Sequence, residues 1–174
     1  VVEAAEHLAE IRRCARHCSR SSPVESIARY IASATQQQPT PYSDQRTLVV
    51  EGEAGSGKTA AVSKAVLDAV AMVPSGKQLS AAIIVRMIGE RRVVEASSLI
   101  HSIKKQLQEL LSHNRKALSF DDSLAHHIFV ASTERAIVLV IDGLDALDDV
   151  QWLPAVLSLP AAVRIVLTAR PPLA

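Results

Sequence analysis

Gly52-Glu53-Ala54-Gly55-Ser56-Gly57-Lys58-Thr59 is the stretch of this 174-residue chain whose spacing prescribes a chemistry most narrowly. It matches G-x-x-x-x-G-K-[ST] in full, and the pattern has a mechanism. Consecutive backbone N–H groups wrap around a phosphate only where the chain can take positive φ and carry no Cβ, freedoms that Gly52, Gly55 and Gly57 supply. Amides from Gly52 through Ala60 would face the anion, helped by the partial positive charge of a helix beginning at Thr59. Lys58 would reach the outer phosphates, and the Thr59 hydroxyl would ligate Mg²⁺. A glycine-rich turn can fit the pattern by accident. Here a strand-like run precedes it and a helical run follows, as the mechanism requires.

Two more strand ends carry polar groups. Ile137-Val138-Leu139-Val140-Ile141 finishes on Asp142, and a carboxylate at the carboxyl end of a buried strand sits where open α/β sheets bind ligands. Asp142 is therefore the second candidate metal residue, holding Mg²⁺ through water. Asp145, three residues on, would polarise an attacking water or support the metal; a turn or helix-cap role fits it equally well. Ile165-Val166-Leu167-Thr168-Ala169-Arg170 brings a hydroxyl and a guanidinium to another strand end, where both could sense a terminal phosphate. The plainer alternative for Arg170 is a surface arginine after an edge strand. Lys58, Asp142, Asp145 and Arg170 are thus the candidate catalytic residues. Residues 52–60 and Thr168 are the candidate nucleotide contacts, with Thr59 and Asp142 at the metal.

Positioning these groups takes alternating strands and helices. Val1 to about Ser19 has helical periodicity, with Arg12, Arg13 and Arg16 outward and Ala4, Leu8, Ile11 and Ala15 inward. Pro23 opens a second helix whose Val24, Ile27, Ala28 and Ile31 share one side. Gln36 to Asp44 reads as a loop. Strands are expected at 47–51, 81–88, 136–141 and 163–168. Helices are expected at 59–72, with Ala61, Val62, Ala65, Val66, Ala69 and Val70 inward, and at 95–111. Asp121 or Asp122 would cap a further helix running to Ser132, and Pro154 to Leu157 suggests a short one. The alternation means a parallel α/β sheet with right-handed crossovers.

Composition narrows the function classes. Nineteen Lys and Arg against eighteen Asp and Glu leave a net charge of +1, without the basic footprint of a nucleic-acid binder. Aromatics are 3%, too few for a base-stacking platform, and no apolar run approaches the roughly 18 residues that span a bilayer. The chain starts at Val1 without a signal peptide, and reads as a piece of something longer in a reducing, cytoplasmic compartment. Cys14 and Cys18 share a helical stripe with His7; a metal site is conceivable, but small core-facing residues are the stronger reading. His101, His113, His126 and His127 are expected at surface or boundary positions.

Together the loop 52–59, the Asp142-Gly143-Leu144-Asp145 box and Thr168-Ala169-Arg170 resemble the NACHT branch of the STAND P-loop NTPases. Ile83 to Gly89, the helix 97–111 and Trp152-Leu153-Pro154 are similar to nephrocystin-like and telomerase-associated-protein-like members. The resemblance covers residues 23–172. It implies a three-layer sandwich with a mostly parallel sheet of the additional-strand type. Residues 1–45 would be a helical extension and linker, and 46–174 a core ending before a fifth strand and winged helix. It also implies a Mg²⁺-dependent ATP or GTP switch in a larger signalling protein, which oligomerises or recruits partners, and a strand order placing Thr168 between the strands of Glu51 and Asp142. Ala146 stands where many members have a second acid, which points to slow hydrolysis or none. Two other classes stay open: an interaction module with structural nucleotide, and a small-molecule or nucleotide kinase, whose size fits and for whose lid arginines Arg91 and Arg92 could be mistaken.

Overall fold

The apolar run Ala136–Asp142 forms strand β3, in which Ile137, Val138, Leu139, Val140 and Ile141 are all fully buried. A strand apolar on both faces needs a layer on each side. The computed structural model describes residues 2–19, 21–34, 45–72, 81–88, 95–111, 118–159 and 162–171, with backbone only for 2–7. Around β3 lie β1 (Thr47–Glu51), β2 (Ala81–Met87) and β4 (Val163–Ala169). All pairings are parallel, in the order β1-β4-β3-β2. The strand ending at Thr168 and Ala169 thus lies between those ending at Glu51 and Asp142, as the resemblance implied.

Alternation along the strands sends side chains to two cores. Helices α1 (Val2–Ala15), α2 (Ser22–Ser33) and α3 (Lys58–Ala71) bury Ile11, Ile31, Val62 and Val66 against Val85, Val138, Val140 and Val166. On the other face α4 (Ala96–Leu110), α5 (Leu124–Glu134) and α6 (Leu153–Leu157) bury Leu99, Ile103, Ile128 and Val156 against Ile84, Leu139, Ile141 and Leu167. Each such side chain contributes about 1.5–3 kcal/mol. Tyr30 on α2 is fully buried, and its hydroxyl donates to the Ile165 carbonyl at 3.3 Å. This is the three-layer α/β architecture expected from the sequence.

Several local expectations need correction. Leu8 and Val70 are exposed rather than core-facing, although Ile11 and Ala69 near them are buried. The cap of α5 is Ser123, whose Oγ accepts from the His126 amide at 3.2 Å; Asp122 instead accepts from the Ser119 amide at 2.8 Å. Residues 36–44, Arg91, Arg92 and His113 lie outside the described residues.

His127 departs most from expectation. It is fully buried between α5 and α4. Its Nδ1–H donates to the Ser123 carbonyl at 3.2 Å, which leaves Nε2 to accept from Gln108 at 3.5 Å. That arrangement needs the neutral ring, and burial holds its pKa below the ordinary 6.5. The unfolded chain therefore takes up the proton first, so stability is complete above pH 6.5 and falls as pH drops towards the folded value. His127→Gln removes the titration. Between about pH 7.5 and 5.5 its thermal midpoint should drop less than that of the wild type; equal drops would show that His127 does not govern the acid response.

Candidate functional site

The carboxyl ends of β1, β3 and β4 bring the three polar segments together. Asp142, only 3% exposed, ends β3. A buried carboxylate needs partners, and two hydroxyls supply them. Thr59 Oγ1, in the first turn of α3, donates to Oδ2 at 2.7 Å, and Thr168 Oγ1, near the end of β4, donates to Oδ1 at 2.6 Å. Thr168 Oγ1 in turn accepts from the Gly143 amide at 2.8 Å. One side chain thereby ties α3, β3 and β4 together.

The glycine-rich loop fills the turn from β1 to α3. Gly55 (φ +74°) and Gly57 (φ +87°) take the left-handed conformation that a Cβ penalises, as expected. Gly52 does not share this reason: its φ is ordinary, and a Cβ there would lie 2.7 Å from Ser56 Oγ. Lys58 folds over the loop, its Nζ donating to the carbonyls of Gly52 and, at 2.9 Å, Glu53. Gly143 (φ +90°) follows Asp142, and a Cβ on it would stand 2.8 Å from the Ile88 carbonyl oxygen. The same junction is closed by the Ile88 amide donating to Asp142 O at 2.8 Å.

Asp145 lies in a single 3₁₀ turn, Leu144–Ala146. It caps no helix; its carboxylate pairs with Arg170 Nε at 3.1 Å and accepts from the Arg170 amide at 3.3 Å. Both side chains are partly exposed, so the pair adds little stability but fixes where the guanidinium sits.

These groups line a cleft of about 590 Å³ with Gly55 to Ala60, Ile88, Gly143, Ala146 and Thr168. Its donor set fits a magnesium phosphate: hydroxyl and carboxylate oxygens 2.7 Å apart for a hard cation, and a two-glycine left-handed loop at a helix start for the anion. Thr59 and Asp142 would hold the metal, which neutralises phosphate charge, and the loop with Lys58 would hold the phosphates.

Cys14 and His17 also line the cleft, which the sequence did not indicate. Cys14 and Cys18 are both half-buried, Cys18 packing against the core as expected, and the His7 side chain lies outside the described ones. Asp148 was missed too. It accepts from the Ala96 amide at 2.8 Å, capping α4 from 52 residues away. Arg86 is buried on β2, where its guanidinium donates to Ser102 and Gln106 of α4.

The family model for the NACHT domain matches residues 46–172, well over half of the chain. This chain belongs to the NACHT family. Searches of curated proteins and of solved structures gave no match. NACHT domains are STAND P-loop NTPases, and membership implies nucleotide binding. No helix among the described residues is long and apolar enough to cross a membrane.

Two substitutions test the Asp142 junction. Thr168→Val leaves the Gly143 amide and one carboxylate oxygen unpartnered, at a cost of about 1–3 kcal/mol. Gly143→Ala forces a Cβ into the left-handed region against the Ile88 carbonyl, also costing about 1–3 kcal/mol. Urea unfolding should show both losses; unchanged midpoints would mean that the junction is not a structural tie.

Proposed function

We propose that this NACHT domain binds a nucleoside triphosphate with Mg²⁺, hydrolyses it slowly and changes conformation with the nucleotide state. The supporting observation is the Asp142 carboxylate shared by Thr59 and Thr168 beside a loop with left-handed Gly55 and Gly57. In this reading the amides of residues 52–60 hold the phosphates, Lys58 leaves the loop carbonyls for phosphate oxygens, and Thr59 binds the metal with Asp142 beside it. Thr168 keeps Asp142 in place, and Asp145 holds Arg170 at the rim, from which it can turn to the terminal phosphate. ATP is the favoured nucleotide, with GTP the alternative.

Slow turnover follows from Ala146, a methyl group on the cleft wall where an acid would help to activate water. The same residue favours a second reading, an interaction module in which nucleotide is bound but not turned over. In either, residues 1–45 are a helical extension, 46–174 the core, and the setting a larger intracellular signalling protein of the nephrocystin-like or telomerase-associated-protein-like branch. Its partners would be its own other domains, further proteins or further copies, without direct nucleic-acid binding.

Titration calorimetry with ATP, ADP and GTP, with and without Mg²⁺, tests this directly. Micromolar, Mg²⁺-dependent binding is expected, lost in Lys58→Ala and with a weaker metal dependence in Asp142→Asn. Retained affinity in Lys58→Ala would overturn the assignment of the loop. Phosphate release by the wild type separates the two readings: slow release supports the switch, and none supports the module.

A further inference from the structure

One wall of the cleft comes from outside the matched NACHT segment. Cys14, in the last turn of α1, and His17, just beyond it, stand with Gly55 to Thr59 and Asp142 around the same space. α1 reaches that place by packing along α3 and touching β2, with Ile11 and Ala15 buried. In the register of the sheet, Met87 at the end of β2 lies opposite Asp142, so α1 flanks Asp142 on the β2 side. Arg170, following β4, flanks it on the other. The Cys14 thiol is held above its ordinary pKa first by burial and next by Glu10, and the Asp142 carboxylate acts on it in the same direction. The thiol thus sits within the field of the metal-site carboxylate. A backbone bond from the His17 amide to the Cys14 carbonyl, 3.1 Å, closes the turn that carries the exposed imidazole.

We propose that α1 reads the nucleotide state: His17 donates to the terminal phosphate of a Mg²⁺-bound triphosphate and draws the end of α1 onto the cleft, and loss of that phosphate releases it. This rests on the nucleotide-binding reading of the site. An imidazole offers an N–H donor whether protonated or neutral, so the contact needs no change of charge. A hydrogen bond to so charged an acceptor is worth about tenfold or more in affinity. α1 can respond because, among the described residues, it lies outside the sheet and packs chiefly along α3, with a smaller contact to β2. By linkage, whatever displaces α1 then weakens triphosphate binding by the same factor.

The test uses the whole chain with Cys18→Ser, which leaves Cys14 as the sole thiol. Its maleimide modification rate is measured alone, with Mg²⁺-ADP and with a Mg²⁺-bound non-hydrolysable ATP analogue, and both nucleotides are titrated into His17→Ala and His17→Gln. The triphosphate should slow modification roughly tenfold and ADP far less. His17→Ala should lose about tenfold in triphosphate affinity while keeping its ADP affinity, with partial recovery in His17→Gln, which retains a donor. Equal protection by the two nucleotides, or a His17→Ala effect that is absent or equal for both, overturns the sensing role while the nucleotide site stands. A wild-type chain that binds neither nucleotide overturns the site as well.

Discussion

A carboxylate buried to 3% exposure cannot be left without partners, and much of this domain is arranged around that requirement at Asp142. The hydroxyls of Thr59 and Thr168 reach it only if the first turn of α3 and the end of β4 both close on the end of β3. The sheet order makes this possible. β1 feeds a helix on one face, whereas β2 and β3 feed helices on the other, so the strand ends open onto a crevice between the layers. The glycine-rich loop leaves β1 at that crevice, and Gly52 N still bonds Ala169 O across it at 3.4 Å.

Gly143 belongs to the same constraint. The chain turns off β3 against the end of β2, and the Ile88 carbonyl occupies the place of any side chain at position 143. Polar side chains for the cleft must therefore come from later in the box, where Asp145 and Ala146 line it. Asp145 is spent on Arg170, and Ala146 offers a methyl group. Lys58, Asp142 and Arg170 supply the other charges that line the cleft.

Legibility in the sequence followed range of interaction. The four strands appeared within a residue or two, because a buried parallel strand must be apolar on both faces and β-branched runs such as Ala136–Asp142 and Val163–Ala169 satisfy that locally. Gly55 and Gly57 were legible because positive φ is a local demand. Errors gathered where a residue's role depends on what lies across from it. His127 looked like a boundary residue on an amphipathic helix, yet it is fully buried, with Gln108 of α4 against its ring. Leu8 and Val70 lie on the apolar stripes of their helices and are nevertheless exposed.

By itself the sequence determined the glycine-rich loop, the strands and the box Asp142 to Asp145, since glycine spacing, alternation and an acid after an apolar run are properties of adjacent residues. It could not divide the work among four similar carboxylates. The tertiary structure gave Asp142 to two threonines, Asp145 to Arg170, Asp148 to the start of α4 and Asp149 to the turn at Gln151. It also brought Cys14 and His17, more than thirty residues before the loop, to the wall of the cleft. A carboxylate's role is set by the donor nearest to it in space, and only the folded chain decides which donor that is.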